Sequence, residues 1–94
     1  MKVKVLRASF YLHGCDSLKE KRHRLGRLRD KFGKQTALAV CESGHVDELR
    51  RGEWRFVAAA ASAVVVQQVL ADVEGYLATA IDAEILDLEQ RWLV

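Results

Sequence analysis

The 94-residue sequence contains no proline, and no part of it has the composition of a linker, an internal repeat or a low-complexity segment. Domain boundaries usually fall in such stretches, so residues 1–94 are expected to form one domain. Half of the residues are hydrophobic and 30% are charged, which argues against intrinsic disorder. A chain of this size buries roughly 60–65% of its unfolded surface, which is enough for a core of its own.

Long hydrophobic runs are also missing. Residues 57–66 are apolar except for Ser62, and they fall well short of the ~20 residues of a membrane span. The start of the chain alternates like a strand and lacks the apolar core and cleavage site of a signal peptide. The only two cysteines follow no pairing pattern, as expected of thiols in a reducing compartment. These absences predict a cytoplasmic protein without a membrane segment.

The net charge of +2 hides an uneven distribution. Residues 1–34 contain eleven Lys and Arg against three Asp and Glu, which gives +8. Residues 35–94 contain four Lys and Arg against ten Asp and Glu, which gives −6. A division of this kind predicts a polarised surface, whose basic part would face an anionic partner.

Hydrophobic periodicity predicts four strands and two helices. The predicted strands are residues 2–13, 35–43, 54–60 and 83–93. Ser17-Leu18-Lys19-Glu20 is a capping box, and the helix that it begins is expected to run to Phe32. The second helix is predicted over residues 62–79, although residues 57–66 also suit an earlier start of that helix in place of the third strand.

The element order βαββαβ predicts an α+β, ferredoxin-like domain, in which two helices pack on one face of a four-stranded antiparallel sheet. The other face of the sheet is then free of helices. The helical residues at core spacing are expected to be buried; they are Leu25, Leu28, Phe32, Val66, Val69, Val73 and Leu77.

Residues 14–22, Gly-Cys-Asp-Ser-Leu-Lys-Glu-Lys-Arg, resemble the G-C-x-S-L-K-E-K-R signature of the YlxP-like family, small bacterial domains of unknown function. The resemblance implies a ferredoxin-like fold in a bacterial cytosolic protein, whose relatives are often encoded beside translation and ribosome-maturation factors. The chain departs from the family at His13, where a proline is usual, and at residues 47–50, where Asp-Glu-Leu-Arg replaces D-x-W-Q.

The basic first helix is the main candidate site. Its cations outnumber its acids, and several lie in its first turns, where the helix dipole favours an anion. We expect this helix to grip the phosphates of RNA or of a ribosomal particle, with Arg24 and Arg27 pointing outward; a plain solvated helix face is the alternative. The predicted contact residues are Lys19, Lys21, Arg22, Arg24, Arg27 and Lys31.

The helix-free face of the sheet is the second candidate. If the aromatic side chains of the third strand lie on this face, they form an exposed apolar patch, and such patches usually mark an interface. We expect two copies of the chain to pair there. The predicted interface residues are Val3, Val5, Tyr11, Trp54 and Phe56.

No cofactor or metal is predicted. His13-x-Cys15 and Cys41-x₃-His45 do not match the paired ligand patterns of zinc sites. Cys15, beside a helix N-terminus, is the one candidate nucleophile; it lacks an obvious sequence-local base, although His13 or His23 could approach it in space. The favoured function is a non-catalytic binding module for RNA or ribosomes. The alternatives are a homodimeric domain that recruits an acidic protein, and an enzyme using Cys15.

Overall fold

The computed structural model describes all 94 residues, which form one four-stranded sheet with helices on one side. The strand order is β2-β3-β1-β4, and every neighbouring pair is antiparallel. Each helical connection crosses over one intervening strand, so the predicted α+β, ferredoxin-like βαββαβ fold is confirmed. The elements are β1 (Lys2–Tyr11), α1 (Leu18–Leu25), α2 (Arg27–Phe32), β2 (Leu38–Gly44), β3 (Arg51–Ala60), α3 (Ala63–Ala80) and β4 (Glu84–Trp92).

The core lies between the sheet and the helices. Because side chains alternate along a strand, β1 turns Leu6, Ala8 and Phe10 toward the helices and the residues between them to the open face. From the helices, six of the seven residues predicted to be buried are buried, and Val69 is half-buried against the same cluster. Burial of this apolar surface, at about 25 cal/mol per Å², is the main stabilising contribution.

The predicted first helix is two helices, broken at Gly26. Its N–H donates to the Arg22 carbonyl at 2.6 Å, and the N–H groups of Arg29 and Asp30 then both donate to the Gly26 carbonyl. Hydrogen bonding therefore restarts at this glycine, where no side chain packs against a neighbour. A methyl group here would collide with the Arg22 carbonyl oxygen, so a larger residue would require the local backbone to shift.

The third strand is confirmed, and it begins three residues earlier than predicted. Ala60 ends β3, and the side chain of Ser62 caps α3 by accepting a hydrogen bond from the Val65 N–H at 3.3 Å. The second strand begins at Leu38 rather than at residue 35, because Ala37 adopts a left-handed conformation (φ 73°) that ends the preceding turn. None of the helices is long and apolar enough to cross a membrane.

Candidate nucleic-acid interface

The start of α1 follows the predicted capping box. The Ser17 hydroxyl accepts a hydrogen bond from the Glu20 N–H at 3.1 Å, and the Glu20 carboxylate accepts one from the Asp16 N–H at 2.9 Å. The latter hydrogen bond lowers the pKa of Glu20, and Arg24 lowers it further. The positive end of α1 is therefore already faced by a carboxylate of this chain, where the sequence suggested an external phosphate.

Lys21 is not available to phosphate, and its predicted role is corrected. Its side chain is only 4% exposed. The ammonium donates to the carbonyls of His45 and Glu48 at 2.6 and 2.7 Å and lies 3.6 Å from a Glu42 carboxylate oxygen. This lysine binds the loop between β2 and β3 to α1, because a buried ammonium is stable only when its donors are satisfied.

Arg24 is also held within the chain, and the prediction that it points outward is wrong. Its side chain is 13% exposed. Its guanidinium donates to the His13 carbonyl at 2.9 Å and to the Glu20 carboxylate at 3.2 Å, and it lies 3.5 Å from Asp82. The first helix turns Arg24 over the end of β1, so the side chain connects that end to α1 and to the segment after α3.

The other predicted contact residues, Lys19, Arg22, Arg27 and Lys31, are exposed and form no ion pair within the chain. Two further cations, one on α2 and one just after it, are also exposed and form no ion pair. Counting charges along the helix would identify them from the sequence. We call the six together the basic surface: Lys19, Arg22, Arg27, Arg29, Lys31 and Lys34.

A cavity of about 180 Å³ lies beside the basic surface, between α1–α2 and the β2–β3 loop. Arg22 and Arg29 are at its rim, and the Arg29 guanidinium carbon lies 5.6 Å from the centre of the Trp54 ring. Its apolar wall consists of Leu18, Leu25, Val46 and Trp54, and its acidic groups are Glu42 and Asp47. The Trp54 indole N–H is buried and has no acceptor within the chain.

Two of the predicted interface residues lie on the opposite face of the sheet from the one expected. Trp54 and Phe56 are 3% and 0% exposed and face the helices, so their placement in an open-face interface is wrong. The charged residues that alternate with them, Glu53 and Arg55, were the available signal, since charge must take the solvated face. Val3, Val5 and Tyr11 do lie on the open face, where they are half-buried.

The centre of that open face is charged. The Arg7 guanidinium lies 3.0 Å from Asp87, 3.1 Å from Glu89 and 3.7 Å from Glu53. The hydrogen bond to Glu89 and the surrounding carboxylates raise the pKa of Arg7. Arg55 lies 2.6 Å from the Glu53 carboxylate. The face therefore combines a compensated ion cluster with a smaller apolar region around Val5.

The cysteine and histidine residues do not converge. Cys15 is fully buried, with its sulfur 3.5 Å from the Ser17 carbonyl, so its thiol has no access to a substrate. The imidazole rings of His13 and His45 each face a carboxylate, from Glu84 at 2.6 Å and from Glu48 at 2.9 Å. No group of three or more His, Cys, Asp and Glu side chains is placed to hold a metal ion.

Comparison with known families matches residues 3–90 to the protein family of unknown function DUF503. The match covers nearly the whole chain, and the chain belongs to this family. No curated protein matches it.

Proposed function

We propose that this DUF503 protein is a non-catalytic module that binds the phosphate backbone of RNA through its basic surface. The observation that carries the proposal is that six exposed cations lie within sixteen residues, and none has a carboxylate partner in the chain. Such a concentration of unpaired charge is unfavourable without an anion beside it, because like charges along a helix repel one another.

Phosphate is the anion whose chemistry suits these residues. Three of the six cations are arginines, whose planar guanidinium groups donate pairs of hydrogen bonds to phosphate oxygens. The Trp54 ring beside this surface is buried beneath Arg29 and is not exposed for a base to stack on. We therefore expect contacts to the backbone without reading of sequence.

The test is a titration of the purified protein with a mixed-sequence single-stranded RNA pool at several salt concentrations. If three to five cations contact phosphate, log affinity should fall against log salt with a slope of roughly −2 to −4. The double variant Arg22→Ala/Arg27→Ala should bind every sequence more weakly and flatten the slope by roughly 1.4 units.

The matched control is Lys2→Ala/Arg51→Ala, which removes the same two charges from exposed positions outside the basic surface. The control should bind RNA with the affinity of the parent chain, because neither residue contacts phosphate. Its slope should differ from that of the parent by less than about 0.3 units. Absence of binding at tens of micromolar protein in low salt would end the RNA proposal. Equal weakening by the two double variants would reduce it to a nonspecific effect of net charge.

An acidic protein partner is the second candidate, and the cavity beside the basic surface is what favours it. Leu18 and Val46 are exposed at this cavity, next to Arg22 and Arg29, an arrangement that fits an acidic peptide with an apolar side chain. Leu18→Ser/Val46→Ser separates the two candidates. It should weaken binding to such a peptide and leave RNA binding unchanged.

The wider assignment is part of the same proposal. The signature at residues 14–22 resembles that of the YlxP-like domains of bacteria, and a role in the cytoplasm suits both an RNA partner and two cysteines that form no disulfide. The genetic neighbourhood of those domains makes ribosomal RNA the first RNA to test. Co-sedimentation with ribosomal subunits that is lost in Arg22→Ala/Arg27→Ala would support this assignment.

A further inference from the structure

β4 is an edge strand. No other element of the chain covers its outer edge, and the strand carries exposed apolar side chains. Of the eleven large hydrophobic side chains that are exposed on the chain, five lie between residues 86 and 94. They are Leu86, Leu88, Trp92, Leu93 and Val94. A long edge with exposed apolar side chains and free backbone groups is a template for pairing with another strand.

The direction of the free backbone groups follows from the contacts with β1. The Leu93 N–H donates to the Val3 carbonyl at 2.8 Å. In an antiparallel ladder alternate residues bond to the same neighbour, so Arg91 and Glu89 also face β1. The backbone groups of Leu88, Gln90 and Trp92 consequently point away from the sheet, toward solvent.

We propose that a second copy of this chain pairs with this edge, β4 against β4, so that the two sheets form one antiparallel sheet of eight strands. A two-fold axis through Gln90 places Glu89 opposite Arg91 of the second copy, twice, on the open face. It also places Leu88 opposite Trp92 of the second copy, twice, on the helix face. In these pairs charged residues face opposite charges and apolar residues face apolar ones, and such cross-strand pairs stabilise a sheet.

Three neighbouring registers are worse. Centring the axis on Glu89 or on Arg91 brings two identical charges together, and centring it on Leu88 brings Asp87 against Glu89. Arg91 has no ion pair within its own chain, since the clusters of the open face use Arg7 and Arg55. Arg91 is therefore free to pair with Glu89 of the second copy, as it does in the register through Gln90.

The first test is sedimentation without RNA at tens of micromolar protein. The parent chain should have twice the chain mass of 10.6 kDa. Arg91→Glu and Glu89→Arg should each weaken the dimer at least tenfold, because each places like charges opposite one another at two positions. An equimolar mixture of the two variants should dimerise again, because every opposed pair in the mixed dimer is complementary.

The second test reads the register directly. In a Cys41→Ser background, a chain with Glu89→Cys should form a disulfide with a chain carrying Arg91→Cys, since opposite residues that are not hydrogen-bonded lie about 4.5 Å apart at Cα. Neither chain should cross-link with itself, because like positions are displaced by two residues along the strands.

A monomer at these concentrations would overturn the proposal. So would a dimer that the two charge variants do not weaken, or one cross-linked instead through Val5→Cys on the open face of β1. Melting curves of Glu89→Arg and Glu89→Cys, which both lose the Glu89 contact with Arg7, show whether these variants are folded. Arg91→Glu keeps that contact, and its effect on the dimer decides if they are not. All these measurements omit RNA, so failure of the RNA proposal leaves this one standing.

Discussion

The basic surface on α1–α2 and the open face of the sheet draw on the same positively charged third of the sequence, yet their charges end in opposite situations. On the sheet, Arg7 is surrounded by carboxylates of β3 and β4. On the helices, six cations have no carboxylate partner. The carboxylates around Arg7 all come from residues 35–94, and the topology of the fold decides which cations these acids reach.

The strand order explains the difference. β1 is central, so β3 and β4 bring Glu53, Asp87 and Glu89 to either side of Arg7. The two acids from later in the chain that reach the first helices are Glu42 and Asp82, and these lie beside Lys21 and Arg24. A count of charge along the sequence therefore overstates the charge that is free for a partner.

The largest effect is expected at Lys21. This lysine belongs to the signature at residues 14–22, but its charge is held within the fold and is not available to a partner. Lys21→Met leaves the carbonyls of His45 and Glu48 without their lysine donor and Glu42 without a counter-ion. We expect the free energy of unfolding to fall by about 2–3 kcal/mol. Chemical denaturation measures this change.

Lys19→Met is the matched control, because it removes one positive charge from an exposed position two residues before Lys21. It should change the free energy of unfolding by less than about 0.5 kcal/mol and weaken RNA binding instead. If the two lysine variants had the same stability, Lys21 would not be the anchor of the β2–β3 loop.

A smaller loss of stability is expected from Arg7→Ala, which leaves three carboxylates facing one another on the open face. The melting temperature should fall by more than it does in Arg22→Ala, whose side chain has no partner. RNA affinity should show the reverse order, with Arg7→Ala unchanged. An equal loss of RNA affinity in both variants would remove the distinction between the two surfaces.

Local features of the sequence predicted the framework because their physical causes are local. The Ser17 cap, the spacing of Leu25, Leu28 and Phe32, and the alternation along β1 each depend on residues a few positions apart. The break at Gly26 was also local, but an isolated glycine within a helical pattern more often leaves the helix intact.

The engagement of Lys21 and Arg24 was beyond local reasoning. The partners of Lys21 are 21 to 27 residues away, and Asp82 is 58 residues from Arg24. Helical spacing alone gives the direction in which a cation leaves its helix, and the loop that comes to meet it depends on the complete fold. The sheet face on which Trp54 lies could have been predicted, since the charged residues on either side of it already determined that face.

The smallest predicted effect tests the open-face cluster by pH. The hydrogen bond from the Ser43 hydroxyl, followed by the charges of Arg55 and Arg7, lowers the pKa of Glu53 below its ordinary value of 4.5. A carboxyl whose pKa is lower in the folded state stabilises the fold fully above that ordinary value, and this contribution is lost as the pH falls toward the folded-state pKa. The pKa values of Glu20 and Glu48 are lowered as well, so the melting temperature of the parent chain should decline below about pH 4.5. Glu53→Gln cannot titrate and should decline less steeply, while starting from a lower melting temperature at neutral pH. Curves that run parallel between pH 6 and pH 3 would mean that Glu53 is not held by its cluster, and that the open face is as loosely compensated as the helices.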